Sequence, residues 1–235
     1  MDAIADDDAV RAMLVAVERL GSPGEWHAPE GYPSVGLALI DAVWSIGVRW
    51  ESARNVIARY RAERLSAGHD PDGDGPRQVR EFIEACGGPE RFAELVRNSQ
   101  RTSSRNGILK AEAVLREARI LEDEGVTAPA DLLSATMERL EHLSRRWSTI
   151  PGQGSGVSWR AFSMLVGLPE VKPDRMIRRF VADALGRPSE AAVNLEEARE
   201  LVLTTAERLG TSPRTLDHAI WAHQSRLSRP RRGSL

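Results

Sequence analysis

The 235-residue chain holds one cysteine, two tyrosines, four phenylalanines and only two lysines, Lys110 and Lys172. A lone Cys86 excludes a disulfide framework, a four-cysteine zinc site and a cysteine-ligated iron–sulfur cluster. The shortage of lysine leaves arginine to carry nearly all the positive charge. A GC-rich genome accounts for that bias, and guanidinium forks also suit phosphate. No stretch approaches the ~18–20 uninterrupted apolar residues that a membrane span needs, which sets aside a membrane partner. The acidic start, Met1 to Leu20, lacks the basic and apolar regions of a secretory signal, so a reducing cytoplasm is the expected location. Internal repeats are absent, and the basic tail Arg226–Arg232 is the one biased tract. A net charge of −2 lacks the basic surplus that phosphate binding normally requires, which taken alone argues against a nucleic-acid partner.

What is present is helical. With 41% apolar and 28% charged residues, the chain has the composition of an ordinary globular protein of one large domain or two small ones. Apolar residues recur at three- and four-residue spacing over Asp8–Leu20, Val35–Val48, Glu51–Leu65, Arg77–Cys86, Pro89–Val96, Ile108–Leu121 and Ala130–Ser134. The same period continues over Met137–Trp147, Gly156–Val166, Pro173–Leu185, Leu195–Leu209 and Pro213–Leu227. Loops rich in Gly, Pro, Ser and Asn separate them, among them Gly21–Pro33 and Gly68–Pro76. No run sustains the alternation of a strand. The expected class is all-α, with about ten helices.

Residues 136–187 are the informative stretch. The helix Met137–Trp147 ends in Ile150-Pro151-Gly152-Gln153-Gly154-Ser155-Gly156, and another helix begins at once. A Gly-rich hairpin between two helices presents consecutive backbone N–H groups at a helix N-terminus, an arrangement suited to phosphate. The same glycines also fit a plain turn that needs left-handed dihedrals. After the second helix, Asp174 stands at the start of a helix carrying Arg175, Arg178 and Arg179. Asp174 fits a catalytic carboxylate, a helix N-cap, or both.

These features resemble the helix-hairpin-helix DNA glycosylases, the superfamily of endonuclease III. Ile150–Gly154 is similar to the family's Leu-Pro-Gly-Val-Gly hairpin, and Asp174 falls 18 residues after Gly156, similar to the spacing of the family's essential aspartate. Weaker likeness extends upstream over Leu37–Tyr60 and over Ile108–Leu121, where Lys110-Ala111-Glu112 is similar to a Ser-Lys-Ala helix start. The resemblance implies two helical lobes: a six-helix barrel over residues 35–167 carrying the hairpin, and a second lobe from 1–34 and 168–235, with the active cleft between them. It implies double-stranded DNA as partner, a monomer, and no required cofactor, with room for a monovalent cation at the hairpin. Gly152, Gln153, Gly154, Ser155, Gly156 and Arg175 would then contact DNA. Where bifunctional relatives carry a nucleophilic lysine this chain has Gly156, so no Schiff base forms there and the enzyme would be monofunctional. Near Gly47, the family's DNA-inserting glutamine has no counterpart.

Loss of a base develops positive charge on the sugar, and a fixed carboxylate stabilises that charge or orients water; Asp174 is the candidate. A flipped base needs aromatic walls. Trp159, Trp44 and Trp221 are candidates, as is His218 for reading a base edge; simple packing is the commoner use of such residues. A competing motif is Asp70-x-Asp72-x-Asp74-Gly75 followed by Glu81, the acidic pattern of a calcium loop, which also reads as an acidic turn. Three functions follow: a DNA glycosylase, a non-catalytic module binding damaged or unusual DNA, and a calcium-regulated helical protein. The charge distribution favours the first two. Residues 1–98 carry a net −6 and 99–235 a net +4, and 139–180 holds eight basic residues against three acidic.

Overall fold

The computed structural model describes residues 6–28, 31–48 and 50–227. Among them it forms twelve α-helices: α1 (Asp7–Val17), α2 (Val35–Trp44), α3 (Trp50–Ser66), α4 (Pro76–Ala85), α5 (Pro89–Leu95), α6 (Lys110–Asp123), α7 (Pro129–Leu133), α8 (Met137–Ser148), α9 (Val157–Leu165), α10 (Arg175–Ala184), α11 (Leu195–Arg208) and α12 (Pro213–Leu227). The described residues contain no strand; the one β-type contact is an isolated antiparallel bridge between Arg101 and Leu109. The protein is all-α, as its apolar period predicts. No described helix is long and apolar enough to cross a membrane. The tail beyond Leu227 lies outside the described residues.

Two compact units divide the chain, Gly31–Leu168 and the pair of segments Met1–Glu30 and Pro169–Leu235. The first holds eight helices, α2–α9, rather than six; six of them run nine residues or more, while α5 and α7 are short. The boundary falls a few residues before 35 because the approach to α2 is anchored within this unit. Tyr32 N–H donates to Leu165 O at 3.1 Å, Tyr32 Oη to Asp41 at 2.9 Å, and Ser34 Oγ to Asp74 O at 2.7 Å while also capping α2 at Leu37 N.

The core of this unit is centred on α2, in which every residue except Asp41 is buried. Around it pack Tyr60, Ile83, Phe92, Val114, Leu121, Trp147 and Phe162. The period over 35–48 predicts a longer α2 than the one that forms. Lys110, buried at the start of α6, donates from Nζ to Trp44 O (3.2 Å) and Ile46 O (2.7 Å), and Gly47 turns left-handed at φ +69°. A buried cation on the last carbonyls of a helix satisfies groups that have no intrahelical partner, and the chain leaves the helix there.

In the other unit, α1, α10, α11 and α12 bury a separate core of Met13, Val17, Ile177, Phe180, Leu201, Val202, Leu216 and Ile220. The apolar run of 8–20 breaks at Val17 into a 3-10 turn over Glu18–Leu20. Here Trp26 Nε1 donates to Leu20 O at 3.1 Å.

Candidate functional site

The hairpin lies between α8 and α9 in the unit Gly31–Leu168. Gln153 N–H donates to Ile150 O (2.9 Å) and Gly156 N–H to Gln153 O (3.0 Å), two successive turns that reverse the chain. Gly152 (φ +84°) and Gly156 (φ +72°) take left-handed dihedrals that disfavour side chains, whereas Gly154 does not. Gly156 is the N-cap of α9 and offers no side chain to its first turn, where only Ser155 Oγ approaches Val157 N, at 3.5 Å. The amides of Gly154 and Ser155 meet no acceptor among the described residues, and both residues are exposed. This is an open, positively polarised helix start, able to take an anion.

Gln153 faces inward. It is 4% exposed, and its Oε1 accepts from Ser158 Oγ, which in turn accepts from Trp147 Nε1 at 3.0 Å. Its amide side chain therefore ties the hairpin to both flanking helices and is turned away from solvent. A loop that the sequence does not single out backs the hairpin: Thr102 Oγ1 donates to Pro151 O (2.8 Å) and accepts from Ile108 N (3.2 Å). Gly152 sits so close to Thr102 that an added Cβ would lie 2.4 Å from Oγ1. This loop exposes Arg101, Ser104, Arg105 and Asn106 and bears no carboxylate.

Two pocket candidates are core residues. Trp44 is completely buried and packs edge-on against Phe92 (6.1 Å, 77°). Trp159 is 8% exposed and wedged between Trp147 (5.4 Å) and Phe162 (5.7 Å). The three-residue spacing from Gly156 put Trp159 on the right helix but could not tell its inner face from its outer one.

The acidic motif is not gathered into one nest. Asp70 caps its own turn at Asp72 N, Asp72 pairs with Arg61 (2.5 and 3.0 Å), and Glu81 pairs with Arg77. Asp74 is 2% exposed and receives Arg64 Nε (2.8 Å), Arg64 Nη2 (2.6 Å) and Tyr60 Oη. Burial and this carboxylate push the Tyr60 hydroxyl well above its ordinary range. The described residues hold no group of three or more His, Cys, Asp or Glu able to share a metal ion. The reason is local: α4 already starts at Pro76, inside the span a calcium loop would occupy.

Asp174 belongs to the other unit, on the strap entering α10. The strap is fixed upstream by Glu170, whose carboxylate receives Arg199 at 2.7 and 3.0 Å. Asp174 is the N-cap of α10: Oδ1 accepts from Met176 N (2.7 Å) and Ile177 N (3.3 Å), while no donor among the described residues reaches Oδ2. Asp174 N–H donates to Lys172 O (2.6 Å), and Lys172 N–H donates to Asp217 Oδ2 on α12 (2.9 Å). Burial first, then the charge of Asp174, pushes the Asp217 carboxyl up to about 7, against the opposing pull of the Lys172 N–H bond and of the Lys172 and Arg214 cations. Asp217 is the residue that sequence reasoning missed; only the packing of α12 on the strap reveals it.

Next to Asp217, His218 stacks on Trp221 with ring centroids 5.7 Å apart and planes at 24°. Both are half-buried, and burial together with Arg214 pushes the imidazole below its ordinary value. Arg175 is exposed on the first turn of α10. Asp174, Arg175, Asp217, His218 and Trp221 thus share one unit, and the hairpin, Trp44 and Trp159 share the other.

A family described as a domain of unknown function (DUF8548) matches residues 11–225, and the chain belongs to that family. No curated protein and no solved structure matches it.

Proposed function

We propose that the protein is a monofunctional DNA glycosylase that hydrolyses the N-glycosidic bond of a damaged or modified base. Its hairpin amides hold a phosphate of the duplex, with Arg105 and Arg175 as further phosphate contacts. Extruding the base costs a few kcal/mol, and His218 and Trp221 offer the flat face on which it stacks. Water adds to C1′ as the C1′–N bond breaks; the bond's electron pair leaves with the base, and the positive charge developing on the sugar faces Asp174 Oδ2, which also accepts the proton from water. With Gly156 in place of an amine nucleophile, the product is an abasic site in an uncut strand.

The observation that carries this reading is the division of labour within Asp174. One oxygen caps α10 and pins the side chain, while the other has no partner among the described residues. A carboxylate needed only for capping gains nothing from the buried second acid behind it. The test incubates the protein with duplexes carrying alkylated, oxidised or deaminated bases, then heats them in alkali. Strand breaks that disappear in Asp174→Asn support the proposal. Duplex binding without alkali-labile sites on any substrate supports the non-catalytic module instead, and absence of duplex binding at low salt removes both.

A further inference from the structure

We propose that Asp217 is the positioning residue of Asp174, holding through the Lys172 peptide the turn that presents the open carboxylate oxygen. The inference rests on the glycosylase reading for its consequence and on geometry for its substance. Asp217 is 7% exposed, yet its Oδ2 lies 2.9 Å from Lys172 N, and Lys172 O receives the Asp174 N–H at 2.6 Å. Two hydrogen bonds therefore connect the Asp217 carboxyl to the backbone N–H of Asp174 through a single residue. A bond to an ionised acceptor is about twice as strong as one to a neutral acceptor, so the turn is held most firmly when Asp217 is charged. The ionised group also adds a second negative charge beside the cationic transition state.

The charges around Asp217 are Asp174 and Lys172 on the strap into α10 and Arg214 one turn earlier on α12. On the other packed elements, Arg178 of α10 donates to Val193 O, Arg199 of α11 pairs with Glu170 and Glu196, and Arg19 after α1 lies over the Phe180 ring. With Asp217 titrating near neutrality, excision rises with pH through about 7. The sign follows from the carboxyl losing its proton over that interval and gaining charge.

The experiment measures single-turnover excision between pH 5.5 and 8.5 and, separately, follows the aspartate carboxyl carbons of the full chain by NMR over the same range. Wild type should gain roughly tenfold in rate across pH 7, and Asp217→Asn should stay flat at the low-pH rate with the enzyme concentration for half-maximal rate unchanged. A carboxyl carbon titrating near 7 should vanish in Asp217→Asn and move to lower pH in Asp174→Asn, because the neighbouring charge is removed. An unchanged pH profile in Asp217→Asn, or an Asp217 carboxyl titrating in the ordinary range, overturns the proposal. If no duplex yields alkali-labile sites, the glycosylase reading fails alone, and the NMR titration still decides whether Asp217 is coupled to Asp174.

Discussion

Asp174 and Glu117 show two ways a carboxylate departs from a solvated surface charge. At Asp174 the cap and the open oxygen are separable, since Asn caps a helix as well as Asp does. Asp174→Asn is therefore expected to keep its melting temperature within about 2 °C while excision falls at least ~100-fold, checked by calorimetry and the alkali assay on one preparation. Glu117, on α6, is fully buried, and neither of its oxygens has a partner among the described residues. Burial pushes its pKa well above the ordinary value, so the folded protein keeps a proton that the unfolded chain releases above about pH 4.3. Its contribution is full below that pH and is lost as pH rises toward the folded value. Denaturation across pH 4.5–7.5 should show stability falling more steeply with pH in wild type than in Glu117→Gln, by up to ~1.4 kcal/mol per unit. Parallel curves would show that Glu117 finds a partner. The cap at Asp174 was legible in the sequence, but the state of Glu117 was not: a charge letter on an amphipathic helix reads as its wet face, and only packing shows which face is wet.

Among the elements, the hairpin was legible as to place but not as to why each residue is there. Two glycines of three take left-handed dihedrals, and only Gly152 also lacks room, because Thr102 fills the space a side chain would need. Gly152→Ala is expected to cost more than the ~1–2 kcal/mol of a left-handed alanine, and more than Gly156→Ala, which meets nothing within 4 Å. Gly154→Ala, whose Cβ would sit 3.7 Å from Ser148 O, should fold normally and weaken duplex binding, which separates a phosphate cradle from a plain turn. Equal duplex affinity for Gly154→Ala and wild type would argue for the turn. The acidic run of 70–81 teaches the converse. Its letters match a metal loop, but the partners that decide its use, Tyr60, Arg61 and Arg64, lie on α3, ahead of the motif. Removing Asp74 strands a buried guanidinium and a buried hydroxyl, so Asp74→Ala should destabilise by about 3–5 kcal/mol, with no change on adding calcium. A calcium-dependent rise in wild-type melting temperature would restore the metal reading.

For the molecule as a whole, counting charges along the chain identifies the basic segment but overstates what it offers to DNA. Of the eight basic residues in 139–180, Arg139 donates to Glu124 O, Arg145 pairs with Glu141, Arg146 with Asp123 and Glu124, and Arg178 with Val193 O. Two of these four are thus paired with carboxylates, and the other two are held by main-chain carbonyls. By contrast, Arg105 and Arg175 are exposed, their guanidinium groups without a partner among the described residues, and Arg105 lies outside the segment that the count picked out. Sequence gives the number of charges and their order; which are neutralised depends on helices that meet across long separations, as Arg146 does with Asp123. The consequence is quantitative. A hairpin phosphate held by neutral amides releases little counterion, so the salt dependence reports mainly the free arginines. The logarithm of duplex affinity should fall with the logarithm of salt at a slope of about −2 to −3, and Arg105→Ala and Arg175→Ala should each reduce its magnitude by about 1. A slope near −7, as eight available cations would give, would mean that the ion pairs open on DNA and that the count along the chain was the better guide.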